Sequence, residues 1–210
     1  GNEHKEDLET GTRAAILGGV TAIFEMPNTN PPTTNAAAIA DKVARMQNRA
    51  HCDYAFYAGA TPQNVADLAA LERLPGVCGI KAFLGSSTGN LLLSHENDIL
   101  AALKSGRRRV AVHSEYEDRL IERKPLAEAG KPATHPVWRD AESARMSTER
   151  VLRLARRAGR RLHVLHVTTG DEIPLLAAAR DIASVETTPQ HLTLSAPECY
   201  ERLGTYAQMN

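Results

Sequence analysis

The chain has 210 residues, with 25 Lys+Arg balanced by 25 Asp+Glu, 42% hydrophobic and 4% aromatic residues, which excludes a disordered segment or a coiled coil and suits an ordinary folded domain. Zero formal net charge offers no basic surface to a nucleic acid or an anionic membrane, so the expected ligand is a small molecule. Cys52, Cys78 and Cys199 are scattered and form no C-x-x-C pair, which argues against a disulfide framework or a Cys-rich zinc site and favours a cytoplasmic location. No apolar run approaches the roughly 18 residues of a membrane span, and the opening Gly1-Asn2-Glu3-His4 lacks the apolar core of a signal peptide.

In chain order, residues 20–26 form the first apolar, β-branched run and predict a strand. Asn35 then caps a helix that places Ile39, Val43 and Met46 on one face. A second strand is predicted over 54–58, followed by a helix opened by Thr61 and Pro62 with Val65, Leu68 and Leu71 on one face. Strands follow at 77–84 and 110–113. Residues 143–158 read as an amphipathic helix bearing Met146, Val151, Leu154 and Ala158, whose arginines are expected on a solvated face. Strands at 162–167 and 183–188 complete six. Strand alternating with helix, with strands apolar on both faces, predicts a parallel α/β fold over a single domain, residues 1–210. No G-x-G-x-x-G or G-x-x-x-x-G-K-[ST] loop occurs, which tilts the choice from a doubly wound sheet to a TIM barrel, (β/α)8, with about six of its eight units present.

In such folds the chemistry gathers at the carboxyl ends of the strands. The polar residues there are Asn28, Lys81, His113, His166, Gln190 and His191. Lys81 interrupts an apolar run, where an ammonium must pair, reach water or lose its proton. A lysine of lowered pKa reacts with carbon dioxide to give a carbamate that bridges metals as a glutamate would. His113 and His166 each close a strand, and imidazole is a common ligand for zinc-like metals. His163 lies three residues before His166, so strand alternation assigns them to opposite faces, His166 inward and His163 to the sheet–helix interface. His4, His51, His95 and His135 have no partner at ligand spacing and are expected to be structural or exposed. Glu115 and Glu117 are candidates for orienting the His113 ring, or simply a solvated loop.

The segments Glu25-Met26-Pro27-Asn28-Thr29-Asn30-Pro31, Gly79-Ile80-Lys81-Ala82-Phe83-Leu84, Val112-His113-Ser114-Glu115, Leu165-His166-Val167-Thr168-Thr169 and Thr188-Pro189-Gln190-His191-Leu192 together resemble successive motifs of the dihydroorotases, cyclic amidohydrolases of the amidohydrolase superfamily. The likeness runs through the whole chain, and the Met-Pro-Asn-Thr element is closer to dihydroorotases than to allantoinases or hydantoinases. It implies a barrel with a metal centre, usually two zinc ions, that interconverts dihydroorotate and carbamoyl-aspartate in pyrimidine biosynthesis. By resemblance, Lys81 is the metal-bridging carboxylated lysine, made with carbon dioxide. His113 and His166 are ligands of the more exposed metal, Asn28 holds the substrate carboxylate, and His191 lies on the substrate side.

The family's His-x-His pair, a substrate arginine and the catalytic aspartate have no counterpart in these residues. The expectation is therefore a central piece of the barrel that holds at most one zinc ion well and is inactive by itself, with the catalytic residue unidentified. An open sheet also leaves edges for pairing with another chain, so a homo-oligomer stays open. Two other readings remain. One is a hydantoinase or allantoinase using the same chemistry. The other is a non-catalytic, dihydroorotase-like partner of aspartate transcarbamoylase, against which the retention of Lys81, His113 and His166 speaks.

Overall fold

The computed structural model describes residues 3–86 and 90–209, so Gly1, Asn2 and Asn210, which bound the predicted domain, lie outside the described residues. Six strands form one sheet: β1 (Ala22–Glu25), β2 (Asp53–Gly59), β3 (Val77–Phe83), β4 (Val110–His113), β5 (Leu162–Val164) and β6 (Ala183–Val185). They pair in sequence order and every pairing is parallel. The helices, in order, are α1 (Leu8–Leu17), α2 (Ala36–Met46), α3 (Leu68–Leu71), α4 (Glu96–Lys104), α5 (Glu117–Arg123), α6 (His135–Trp138), α7 (Ala141–Ala158), α8 (Ile173–Ala177), α9 (Pro189–Thr193) and α10 (Glu198–Leu203). A parallel sheet of this connectivity curls into part of a (β/α)8 barrel with helices outside, as the sequence predicts. Among the described residues, no helix is long and apolar enough to cross a membrane.

Register sorts the side chains into two faces. Ile80, Val110, Leu162 and Ala183 stand in one row across β3–β6 and belong to the buried core with Leu68, Ile99, Leu103, Val151, Leu154 and Leu176 from the helices. The next row, Gly59, Lys81, Ala111, His163 and Ser184, alternates to the opposite face and therefore looks into the barrel. This corrects the placement of His163. It belongs to the inner row, and its Nδ1 lies 2.8 Å from Ser184 Oγ and its Nε2 3.0 Å from Glu186 Oε2.

Local signals explain where the helices begin. Asn35 accepts from Ala38 N at 2.9 Å and caps α2 as the sequence predicts. The stretch after Thr61 differs from expectation. Asn64 accepts from Thr61 N at 2.8 Å and donates to Gly59 O and Thr34 O, so the cap is spent on the exit from β2. The period of Val65, Leu68 and Leu71 then yields a 3-10 turn and the single turn of α3. Helix α7 starts two residues before the predicted 143, with Asp140 accepting from Ser143 N at 3.0 Å, and ends at Gly159, whose φ of 64° suits a residue without Cβ. Its Arg145, Arg153 and Arg156 pair with Glu142 and Glu149, Glu96, and Asp181 on the surface. Arg150 is the exception to the solvated face: its guanidinium stacks over the Tyr116 ring at 4.4 Å and donates to Ser94 O.

Candidate functional site

Strand β3 delivers Lys81 to the inner face near its carboxyl end, where it is only 1% exposed. Its Nζ donates to Ala82 O at 3.1 Å and stands 3.8 Å from the centre of the Phe83 ring. Among the described residues no carboxylate forms an ion pair with it. Burial drives its pKa well below the usual lysine value, with only the more distant Glu186 pulling the other way, so the site works against the ammonium and towards the neutral amine.

His113 ends β4 beside Phe83, its register partner. His166 arrives by a different route. Strand β5 ends at Val164, and His166 takes a φ of 36°, a left-handed twist that breaks the inner–outer alternation assumed for residues 162–167. His163 and His166 can therefore both face inward. His113 Nδ1 and His166 Nε2 face each other at 3.1 Å, with ring centres 4.9 Å apart. Burial, with His113 and Lys81 adding to it, pulls His166 down to about 4. Burial also lowers His113 although Glu115 opposes the shift. Both imidazoles are thus neutral at pH 7, the form that binds a metal.

Around His113 the loops close tightly. Glu115 Oε2 lies 2.7 Å from His113 Nε2, and Arg139 forks onto the same carboxylate, with Nε 3.0 Å from Oε1 and Nη2 on Oε2. Burial alone would raise the Glu115 pKa, yet His113 and Arg139 bring it below the usual value. Glu117 lies elsewhere: its carboxylate takes Ser86 N and Oγ at 2.5 and 2.6 Å and so pins the loop after β3. A Cβ added at Gly85 in that loop would sit 2.8 Å from Glu115, so only glycine lets the loop pass so close. A second buried chain, Ser114 Oγ to Thr148 Oγ1 at 2.9 Å and Thr148 Oγ1 to Glu172 Oε1 at 2.6 Å, ties the segment after His113 to the segment after His166.

A cavity of about 500 Å³ opens over this end of the sheet, lined by His113, Glu115, Arg139, His166 and His191 among others. His191 Nδ1 is bonded to Thr188 Oγ1 at 2.8 Å. His135, expected to be merely structural or exposed, is buried in the cavity wall and bonded to Tyr200 at 2.9 Å. Lys81 lies outside the lining, as does Asn28, half-buried in the loop after β1. The structure thus brings Lys81, His113, His166 and His191 together and leaves Asn28 on the far side of β2 and β3. Sequence reading missed Arg139, Thr148, Glu172 and Tyr200, which belong to loops and helices without a motif.

The residues present fit one side of a metal site. Nitrogens of two ligands at about 2.0–2.1 Å on a tetrahedral zinc lie about 3.3 Å apart, close to the 3.1 Å between the facing imidazole nitrogens. No group of three or more His, Cys, Asp or Glu is arranged to hold a metal among the described residues, so a complete site needs a donor beyond these two imidazoles.

No family model matches the chain. It is 35% identical to an allantoinase of Streptomyces avermitilis, over 94% of this chain and 46% of that protein. It is 29% identical to a dihydroorotase of Methanothermobacter thermautotrophicus, over 100% of this chain and 48% of that protein. The L-hydantoinase (dihydropyrimidinase) structure from Arthrobacter aurescens superposes with a TM-score of 0.88 at 27% identity, covering 97% of this chain and 47% of that one. The chain spans about half the length of the curated relatives it matches. These homologues are all cyclic amidohydrolases of the amidohydrolase superfamily.

Proposed function

Because its relatives are dihydroorotases, allantoinases and hydantoinases, we propose that the protein carrying this chain hydrolyses a cyclic amide, with Lys81, His113 and His166 as its share of a zinc centre. The observation that carries the proposal is the facing pair of neutral imidazole nitrogens at 3.1 Å, set beside a buried lysine that has no ion-pair partner among the described residues. Such residues are costly as structure and useful as donors.

Lys81 is proposed to react with carbon dioxide. The neutral amine nitrogen forms a bond to the carbon, the amine proton leaves to solvent, and the product is an anionic carbamate with two oxygens for metal. A buried anion needs a counter-charge, so carboxylation and metal binding support each other. When bound, the metal polarises the amide carbonyl and makes a nucleophile accessible at neutral pH. His113 and His166 hold it with their lone pairs. His191, with Nδ1 engaged by Thr188, presents Nε2 to the ligand, and Asn28 is proposed to bind a substrate carboxylate from the opposite rim.

Within the class the specific reading is dihydroorotase, supported by the Met26-Pro27-Asn28-Thr29 element. The second reading, allantoinase, is supported by the 35% identity to the Streptomyces enzyme. Assay of the whole protein with zinc and bicarbonate against dihydroorotate, allantoin and hydantoin separates them. Turnover is expected on dihydroorotate and lost on chelation. Preference for allantoin moves the assignment to the second reading, and inertness towards every cyclic amide overturns the proposal.

A further inference from the structure

The guanidinium of Arg139 touches neither a candidate ligand nor the lysine, yet its side chain is only 7% exposed and is engaged through Nε and Nη2. Nε and Nη2 fork onto Glu115, and Nη2 also donates to Ser86 O at 2.7 Å. One planar group therefore ties the segment after β4 to the loop after β3. Arg139 N donates to His135 O at 2.8 Å, and the guanidinium lies 5.2 Å from the Trp138 ring, so the residue is itself held. The neighbouring Asp140 does not compete, because it caps α7 and pairs with Arg119.

The chemistry of the relay determines a tautomer. A carboxylate clamped by a guanidinium is ionised and only accepts hydrogen bonds. His113 Nε2, 2.7 Å from Glu115 Oε2, must then carry the proton. The lone pair is left on Nδ1, the nitrogen that faces His166 Nε2. We infer that Arg139 is a positioning residue of the proposed metal site, acting through Glu115 to hold the His113 proton on Nε2 and so free Nδ1 as the donor. Lysine cannot replace it, since a single ammonium cannot fork onto the carboxylate and reach Ser86 O in the same plane. The consequence for metal rests on His113 being a ligand, as proposed above. The tautomer does not.

The test uses the whole protein in two readouts. In the metal-free state, ring 15N NMR of His113 should report the Nε2–H tautomer in the wild type and a mixture in Arg139→Lys and Arg139→Met. Zinc affinity, from competition with a chromogenic chelator, should fall about 10–100-fold in either variant and in Glu115→Gln. Arg139→Met added to Glu115→Gln should cost less than about threefold more, because the arginine acts through the carboxylate. If Arg139→Met does not fold, Arg139→Lys carries the test. An unchanged tautomer, or losses that simply multiply in the double variant, overturns the inference. A wild-type protein that binds no zinc yet shows the Nε2–H tautomer, lost in Arg139→Lys, removes the metal reading and leaves the relay standing.

Discussion

At the amino end of the sheet Glu72 and Arg160 are buried together. Arg160 Nη2 donates to Glu72 Oε2 at 2.8 Å and Nη1 to Ser105 O at 2.7 Å, while Glu72 also accepts from the backbone of Arg107 and Arg108. At the carboxyl end Lys81 is buried as deeply and has a carbonyl, an aromatic ring and no ion-pair partner among the described residues. The first arrangement answers each charge with an opposite one and so serves stability. The second leaves a cost that the polypeptide described here does not offset. Barrels place chemistry at the carboxyl ends of their strands and stability at the amino ends, and here the bonding of each charge shows the same division.

Lys81→Met should separate the two ends most sharply. Activity of the whole protein on its cyclic amide should fall at least about four orders of magnitude, roughly 5.5 kcal/mol of transition-state stabilisation. The unfolding midpoint of the metal-free protein should stay level or rise, since an apolar side chain of similar length removes the burial penalty. A stability loss as large as that of an ordinary core truncation would mean that Lys81 has a structural partner.

Glu72→Gln or Arg160→Met should do the reverse. Removing one member of a buried pair costs about 3–5 kcal/mol because the other charge is left unanswered, and chemical denaturation should show it. The kcat/KM of the folded fraction should not change. A variant that unfolds no more easily than the wild type would make the amino end as poorly bonded as the carboxyl end and erase the contrast.

The inner and outer rows of the sheet were readable because β-branched runs bury both faces, and Lys81 and His113 stood out as polar interruptions in them. The strand ends were less readable. Apolar residues continue through Val167, but the backbone leaves the ladder after Val164 and His166 turns with a φ of 36°. A period of two has no way to anticipate that turn, and strict alternation from His166 therefore puts His163 on the wrong face. Glu115 and Arg139 were unreadable as a pair for another reason. They lie 24 residues apart, on segments without periodicity, and only the close pass of Gly85 and the place of Arg139 at the junction of α6 and α7 bring them together. Thr61 and Asn64 show the same limit on a small scale: Asn64 stands at the start of the 3-10 turn without a side-chain cap bond, its amide spent on Thr61 N and Gly59 O instead.

The smallest effect expected is on pH dependence, and it sharpens the comparison from the side of the histidines. His166 is held at about 4 in the folded chain, below the ordinary 6.5, first by burial and then by His113 and Lys81. The unfolded chain therefore binds a proton between about pH 6.5 and 4 that the folded chain refuses. Stability then rises with pH through this window and is lost as pH falls, by at most about 1.4 kcal/mol per pH unit from this residue. His113 is lowered as well and adds in the same direction. Urea titrations of the metal-free protein at pH 7 and pH 5 should show the loss, and His166→Asn should flatten it by close to one proton. An equal slope in the wild type and His166→Asn would mean that this imidazole reaches water, in which case the difference between the two ends rests on Lys81 and His113.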